Sequence, residues 1–397
     1  MQVTVQNILQ THFDAFARRR PLSANMRRAA YRMRHCRTAA MGGHVVSCPE
    51  GHVHRVAYNS CRHRSCPQCS ALPRETWLTH WKMRLLDCPH FHVIFTTPHE
   101  LIPLWRYNKA LFAAALFAAA SQALVELLGD AKYLGGRVGL LAALHTWSQT
   151  LAAHVHLHVL VTAGGLTDDG RWQVAKKSCL LPRKVLMIVF RGKLRAELLR
   201  AQERGELTIP PDTSVAAVRS LLNKLGRTVW NVKILDRYDH GAGVATYLAR
   251  YLRGGPIGNK RLVAVRDGRV FFSYRVSSSG TSDRGRRETM SLEVDEFLSR
   301  LLEHVPPSGL HTVRGYGLYA GNQRARLDVA RQSLGQMPLA QSHQAAPSWQ
   351  EMCAKMGNAE AGHCPVCGAR LVVHSHFRSG RGPPCLAVAS EQIGGAA

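Results

Sequence analysis

The sequence predicts a sheet core of the α/β or α+β class behind a cysteine-rich N-terminal module. From about residue 88 onward, runs with strand character alternate with helical runs, and such interleaving builds a sheet covered by helices. Hydrophobic residues make up 46% of the chain, which is ordinary for a globular protein. Residues 31–75 are rich in Cys, His and Arg but lack apolar periodicity, so a bound metal ion is the expected organiser of that block.

The elements follow from apolar runs, turn signals and glycine or proline breaks. Strands are predicted at residues 91–96, 139–147, 155–161 and 229–235, with a hairpin over 262–274. Helices are predicted at residues 1–30, 110–128, 182–224, 243–252 and 292–304. The predicted domains are a helical lead-in with the cysteine-rich module over 1–87, the sheet domain over 88–335, and a flexible tail with a small Cys/His knuckle over 336–397.

The charge balance indicates a polyanionic partner. The chain carries 52 Lys and Arg residues against 26 Asp and Glu, a formal net charge of +26. Bound cationic side chains release counterions from a phosphate backbone, so a surface this positive favours nucleic acid. The basic residues are spread along the chain, which suits a long groove better than a single binding tail.

Three further features bear on location. The N-terminus lacks the basic start and apolar core of a secretory signal. Residues 110–128 are apolar but mostly alanine, with Glu126 near one end, so we expect a buried core helix and no membrane span. Eleven cysteines in such a chain favour metal ligands or free thiols over disulfides. We therefore expect a cytoplasmic protein.

The cysteines of the N-terminal block have the spacing of a zinc site. Cys66 and Cys69 form a C-x2-C knuckle, Cys61 lies five residues earlier, and Cys36 and Cys48 lie upstream. Two thiolates at knuckle spacing bend the backbone around one tetrahedral zinc ion. The alternative is a set of buried free thiols, which prefer apolar surroundings. The sequence leaves open which four ligands share one ion.

Histidines alternate along one predicted strand. His154, His156 and His158 share one face, and apolar residues occupy the other. Two imidazoles at i and i+2 can bind one divalent ion, and a row of structural histidines is the alternative. Gln149, in the connection before this strand, is a candidate third ligand because its neutral oxygen suits Mg²⁺ or Mn²⁺; otherwise it is a loop residue.

Tyr247 and Tyr251 are four residues apart in a predicted helix, so they share a face. A tyrosine pair at this spacing is more often packing than catalysis. Beside a metal ion that polarises a phosphate, however, a phenol can attack a phosphodiester. Four arginines flank the motifs and suit phosphate contact, or else are simply solvated: Arg62, Arg64, Arg250 and Arg253.

The order of these motifs resembles the rolling-circle insertion-sequence transposases of the IS91 family, members of the HUH endonuclease superfamily. The matching stretches are residues 36–40, 60–62, 66–69, 91–96, 145–149, 154–158, 164–165, 247–251 and 315–318. The resemblance implies an α+β fold, in which a small antiparallel sheet with flanking helices carries both histidines on a central strand. By the same resemblance, His156 and His158 match the metal-binding pair, and Tyr247 and Tyr251 match the nucleophiles.

The implied reaction nicks one DNA strand and leaves a 5′-phosphotyrosine and a free 3′-OH. The free end would prime host replication, and the second tyrosine could take a later cleavage. The implied partners are the single-stranded ends of the mobile element, target DNA, and host replication and helicase machinery. A G-x-x-x-x-G-K-[ST] loop is missing from the sequence, so unwinding is expected to come from the host.

One departure from the family pattern concerns zinc. Gly51 stands where the family has a second cysteine, three residues after Cys48, and His52 is the candidate replacement ligand. Near the other end, Cys364 and Cys367 form a second knuckle half. Its predicted partners are His374, His376 or Cys385.

Three other functions compete with transposition. A plasmid relaxase or replication initiator would share the histidine and tyrosine chemistry, although the leading zinc block favours a transposase. A non-catalytic zinc-containing DNA-binding protein would bind without cleavage. A zinc hydrolase would want an acidic residue near the histidines, and none lies between residues 149 and 162.

Overall fold

The structure is a computed structural model that describes residues 2–175, 180–276, 286–339 and 347–380. The helices of these residues are α1 (Val5–Arg19), α2 (Ala24–Arg34), α3 (Ala71–Arg84), α4 (Ile102–Tyr107), α5 (Lys109–Gly129), α6 (Arg183–Glu203), α7 (Val215–Leu225), α8 (Ala242–Leu252), α9 (Val294–Glu303), α10 (Arg324–Ser333) and α11 (Trp349–Lys355). The strands are β1 (Gly43–Ser47), β2 (His54–Tyr58), β3 (His90–Thr96), β4 (Gly139–Trp147), β5 (Ala153–Thr162), β6 (Gly164–Leu166), β7 (Trp172–Val174), β8 (Val232–Ile234), β9 (Leu262–Arg266), β10 (Arg269–Arg275), β11 (Arg287–Glu293), β12 (Val313–Gly317) and β13 (Val372–Phe377).

A five-stranded antiparallel sheet forms the centre of the fold. Its strand order is β12-β4-β5-β3-β8, so β5 is the middle strand. β4 and β5 form a hairpin, and β3 pairs with the other edge of β5. The α+β class with an antiparallel sheet is thereby confirmed, and the strand that carries His156 and His158 is central.

One face of this sheet carries the main hydrophobic core. The apolar residues of β5 that alternate with its histidines pack there against α5 and α6. By length and composition α5 is apolar enough to cross a membrane. In the structure twelve of its residues are buried, and it packs on β4, β5 and α6, as predicted for a core helix.

The opposite face of the sheet is covered by α8 and α3. Apolar residues of α8 recur one turn apart, so that Val244 and Leu248 lie on one side of the helix. They pack on Leu141, Ala143 and Leu160 of the sheet. Leu160 is two residues after His158 and four after His156 on β5, so the histidines point toward this same face.

The N-terminal helices share a core with a later part of the chain. α1 and α2 pack against α9, which covers the three-stranded sheet β11-β10-β9. Phe16 and Phe297 are fully buried in this cluster, and Arg19 binds Asp295 at 2.7 Å. The N-terminal helices, which belong to the predicted domain over 1–87, thus share a hydrophobic cluster with α9 and with Cys36, Cys61, Cys66 and Cys69.

The C-terminal segment differs from the predicted flexible tail over 336–397. β13 pairs antiparallel with β1 and completes the sheet β13-β1-β2. α11 packs on α3, where the Thr76 hydroxyl donates to Met352 Sδ at 3.5 Å. Residues 347–380 are thus tied to the N-terminal module. The low apolar content of this segment gave no sequence signal for the attachment, because much of the attachment is backbone pairing.

Candidate active site and metal centres

Three histidines from two paired strands form the candidate active site. His156 and His158 lie on β5, and His145 lies on β4 directly across from His156. One ring nitrogen from each lies within 4.8 Å of those of the other two. His145 and His158 are buried, whereas His156 is partly exposed. Three converging imidazoles with one open side can hold a divalent ion and leave room for a substrate.

His145 was not among the predicted ligands. A lone histidine in a predicted strand carries no metal signal, and only the register of the β4–β5 hairpin brings it beside His156. Gln149, the predicted third ligand, lies in the turn of this hairpin and is exposed. Its backbone carbonyl accepts a hydrogen bond from Arg261. In the structure His145, on the strand itself, joins the histidine pair.

Hydrogen bonds orient the rings of this cluster. His156 Nδ1 lies 2.8 Å from the carbonyl oxygen of His154; a carbonyl can only accept, so this nitrogen carries the proton and Nε2 is left as the free donor of a lone pair. In the tautomer in which His158 Nδ1 donates to His92 Nε2, 2.7 Å away on β3, His158 Nε2 carries the lone pair that a metal ion would bind. His92 therefore lies behind the cluster, where it can hold the His158 ring in position, as hydrogen-bond partners of metal-binding histidines do.

Burial keeps the three imidazoles neutral. Desolvation lowers the pKa of His156 to about 4 and that of His158 to about 2, with charge repulsion from neighbouring histidines adding to the second shift. Desolvation also lowers the pKa of the fully buried His145 well below its usual value. Neutral imidazole is the form that binds metal ions, so the cluster is ready for a metal at neutral pH.

The tyrosine helix lies on the histidine face. A side chain at Gly241, just before α8, would contact the His90 ring and Leu160, so the helix begins over the far end of β5. Just beyond its other end, the Gly254 amide donates to the Arg64 carbonyl at 2.7 Å. Tyr247 and Tyr251 are one turn apart in α8; their side chains and that of Arg250 lie outside the described part of the structure.

The remaining predicted phosphate-binding arginines have different surroundings. Arg62 is exposed, with a left-handed backbone (φ 54°), and Arg253 is partly exposed. Arg64 instead donates to the Leu310 carbonyl at 2.6 Å and to the Thr312 hydroxyl, and burial lowers the pKa of its guanidinium. In the structure the Arg64 guanidinium is thus hydrogen-bonded within the protein, whereas the sequence predicted a phosphate contact.

Four of the predicted zinc ligands meet in one buried cluster. Cys36, Cys61, Cys66 and Cys69 bring their sulfur atoms within 4.8 Å of one another. Cys61 Sγ and Cys69 Sγ are 3.7 Å apart. Tetrahedral zinc with Zn–S bonds of about 2.3 Å requires sulfur atoms about 3.8 Å apart, so the four residues fit a zinc ion.

The other two predicted ligands belong elsewhere. Cys48 and His52 lie with Cys364 and Cys367 in a second cluster with the same limit of 4.8 Å. The partners predicted for Cys364 and Cys367 were different. His374 and His376 lie on β13, where the His374 ring approaches His54 and the His376 ring approaches His44. Cys385 lies outside the described residues.

Comparisons with known proteins agree with this organisation. A family model described as a transposase zinc-binding domain matches residues 8–97, and one described as a putative transposase matches residues 139–326. The chain is 34% identical over 389 residues to a putative transposase, y4qJ, of Sinorhizobium fredii (strain NBRC 101917 / NGR234), covering 96% of this chain and 97% of the relative. It is 30% identical over 348 residues to the transposase for insertion sequence element IS801 of Pseudomonas savastanoi pv. phaseolicola, covering 85% of this chain and 80% of the relative. This chain therefore belongs to the IS91 family of insertion-sequence transposases.

Proposed function

We propose that this transposase nicks and rejoins single-stranded DNA at the ends of its mobile element through a 5′-phosphotyrosine, which drives rolling-circle transposition. One observation carries the proposal. The helix with Tyr247 and Tyr251 lies on the same sheet face as His145, His156 and His158. This common face supports the proposal, because the helix with the proposed nucleophiles and the candidate metal ligands lie on one side of one sheet.

The residues divide the chemistry between them. His145, His156 and His158 would hold Mg²⁺ or Mn²⁺, which polarises the scissile phosphate and offsets charge in the transition state. A tyrosine Oη attacks the phosphorus and loses its proton as the new P–O bond forms. The bond from phosphorus to the 3′-oxygen breaks, and that oxygen takes up a proton to become the free 3′-OH.

Rejoining is the same exchange in reverse. A 3′-OH from another DNA end attacks the phosphotyrosine, restores a phosphodiester and releases the tyrosine. The bond energy is kept throughout, so no ATP is required. A second tyrosine in α8 allows a second cleavage while the first DNA end is still attached.

The charge of the chain suits these substrates. A net charge of +26 favours DNA over most other partners, and the exposed Arg62, with Arg250 and Arg253 beside the tyrosines, would contact phosphates. The free 3′-OH would be extended by host replication proteins, and a host helicase would supply the unwound strand. We therefore expect the protein to act on DNA in the cytoplasm, at the bacterial nucleoid.

The decisive experiment looks for the covalent intermediate. The protein is mixed with labelled single-stranded DNA from the ends of its own element and with Mg²⁺ or Mn²⁺, and adducts that survive denaturant are measured. Wild type, Tyr247→Phe, Tyr251→Phe and the double variant are compared. Tyr107→Phe is the control, because Tyr107 is exposed and lies in α4.

We expect a metal-dependent adduct in wild type and in the control, and none in the double variant. The single variants then rank the two nucleophiles. DNA binding without an adduct under any metal would overturn the proposal in favour of a non-catalytic zinc-containing DNA-binding protein. An adduct that persists in the double variant would move the nucleophile to another residue.

A further inference from the structure

The second cysteine–histidine cluster joins the two ends of the described chain. Cys48 Sγ lies 3.4 Å from Cys367 Sγ and 3.7 Å from His52 Nδ1. Cys364 completes the group, in which all four ligand atoms lie within 4.8 Å of one another. Cys48 and Cys364 are 364 − 48 = 316 positions apart in sequence, so this cluster exists only in the folded protein.

The backbone on both sides is shaped to converge on one point. After Cys48 the chain turns at Gly51 (φ 76°) and returns His52 toward the Cys48 sulfur, which also accepts the Glu50 amide at 3.3 Å. After Cys364 it turns again, and the Gly368 amide donates to the Cys364 carbonyl at 2.9 Å. Each half presents two ligands from a short turn, as zinc knuckles do.

The ligand chemistry selects the metal. Three thiolates and one imidazole are a soft, tetrahedral set that favours zinc over hard cations such as Mg²⁺ or Ca²⁺. Zn–S bonds of about 2.3 Å and Zn–N bonds of about 2.1 Å require an S···N separation of about 3.6 Å. The observed 3.7 Å between Cys48 Sγ and His52 Nδ1 meets this requirement.

We propose that Cys48, His52, Cys364 and Cys367 bind a second structural zinc ion, which fastens the C-terminal segment to the N-terminal module. The match to the transposase zinc-binding domain ends at residue 97, so half of this site lies outside that domain. The site also lies beside the pairing of β1 with β13, where Ser47 is opposite Val372. Metal and strand pairing therefore hold the same junction.

The proposed second zinc site is connected to the tyrosine helix through a series of packed helices. The C-terminal segment carries α11, α11 packs on α3, and α3 packs on α8. Loss of the second zinc should loosen β13 first, because its pairing with β1 is the contact nearest the metal. The first zinc cluster shares no ligand with the second, so its ion should stay bound.

The test counts zinc in the purified full chain. We expect two zinc ions per chain in wild type and one in Cys364→Ser/Cys367→Ser. The matched control is Cys88→Ser/Cys353→Ser, which removes two buried cysteines that lie outside both clusters and should keep two zinc ions. Hydrogen exchange should show faster exchange of the β13 amides in the first variant and unchanged exchange in the control.

A wild-type measurement guards against a variant that fails to fold. Graded chelation is followed by thiol alkylation and peptide mapping, and Cys48, Cys364 and Cys367 should become reactive together, in a step separate from the four cysteines of the first cluster. One zinc ion per wild-type chain, two in Cys364→Ser/Cys367→Ser, or alkylation of these three thiols in unrelated steps would overturn the proposal. A Cys48–Cys367 disulfide, seen as a cross-linked peptide with no second zinc, would also overturn it.

Discussion

Four histidines on the neighbouring strands β3, β4 and β5 are buried or partly buried, namely His92, His145, His156 and His158. His92, His145 and His158 are buried, and a buried imidazole is tolerated when it is neutral and hydrogen-bonded or bound to a metal. Hydrogen bonding to His92 and to the His154 carbonyl leaves the Nε2 atoms of His158 and His156 as ligand atoms. The roles of His145 and His92 can therefore be tested separately.

His145→Ala should weaken Mn²⁺ binding by at least about tenfold, because removing a direct ligand costs no less than removing a residue that only orients a ligand. Titration of the apoprotein with Mn²⁺, followed by electron paramagnetic resonance, measures the change. His154→Ala is the control, since His154 lies on the same strand face but is exposed and outside the cluster. If Gln149→Ala weakens binding and His145→Ala does not, the third ligand is Gln149.

His92→Leu should lower Mn²⁺ affinity by about 10- to 100-fold, the usual range for loss of a partner that orients a metal-binding histidine. The reason is the 2.7 Å hydrogen bond between His92 Nε2 and His158 Nδ1. His92→Gln offers an acceptor in a similar place and should recover part of the affinity. Equal losses in the two variants, with equal thermal stability, would mean that the hydrogen bond has no role in metal binding.

Just beyond the end of α8, Gly255 packs closely against the loop that carries the first zinc cluster. Gly255 has φ 71°, and a Cβ there would lie 2.7 Å from the Ser65 carbonyl. Ser65 directly precedes Cys66 in the zinc knuckle. The tyrosine helix thus ends against a metal-stabilised loop, and its placement should depend on that contact.

Gly255→Ala should destabilise the protein by about 1–3 kcal/mol, because it adds both backbone strain and a steric clash. It should also reduce formation of the tyrosine–DNA adduct while zinc content stays unchanged. Gly258→Ala is the matched control, since no atom lies within 4 Å of a Cβ built there. Thermal unfolding and adduct yield are measured on the same samples; unchanged adduct yield in Gly255→Ala would show that α8 is held by other contacts.

Local patterns were enough to predict the elements that carry the site. The strand predicted at 139–147 coincides with β4, and the strand at 155–161 lies inside β5. The helix predicted at 243–252 differs from α8 by one residue at its start. These elements have strong period-2 or helical patterns that leave little choice of structure. The strand predicted at 229–235 shortens to β8 (Val232–Ile234), although Asn231 and Leu235 also form backbone hydrogen bonds with β3.

Pairings between distant parts of the chain were not predictable. His145 joins the site because of the register between β4 and β5. Cys364 lies beside Cys48 although the two residues are 316 positions apart in sequence (364 − 48). Neither relation leaves a periodic or spacing signal in the sequence. The same limit applies to Arg64, whose basic side chain indicated phosphate but whose neighbours in the fold are the Leu310 carbonyl and the Thr312 hydroxyl.

Across the whole surface, the net charge of +26 should make binding of single-stranded DNA strongly salt-dependent. For about six phosphate contacts, the logarithm of the binding constant should fall with the logarithm of salt concentration with a slope of about −4. Arg62→Ala should reduce the magnitude of this slope by about 0.7, as expected for one lost contact. Fluorescence anisotropy at several salt concentrations measures it. A flat dependence would contradict a phosphate-tracking groove.

The buried histidines should also make stability fall in acid. Desolvation lowers the pKa of His90 and of His304 from 6.5 to about 4. Between these pH values the unfolded chain binds protons that the folded chain does not, so the free energy of unfolding rises with pH from about 4 to about 6.5. Each such histidine contributes a slope of up to about 1.4 kcal/mol per pH unit.

His304 allows this effect to be isolated from zinc release, which acid also promotes. Its ring accepts from the Thr146 hydroxyl at 3.1 Å and donates to the Leu151 carbonyl at 2.9 Å, and His304 belongs to neither cysteine cluster. His304→Gln should therefore lower stability at pH 7 by about 1–3 kcal/mol through loss of buried hydrogen bonds, and should flatten the slope between pH 4.5 and 6.5. His311→Gln, at an exposed position, should leave the slope unchanged. Urea unfolding across this pH range, with zinc content measured at each pH, gives both quantities. An unaltered slope in His304→Gln would mean that His304 is protonated in the folded protein, and the acid sensitivity would then have to come from the metal centres.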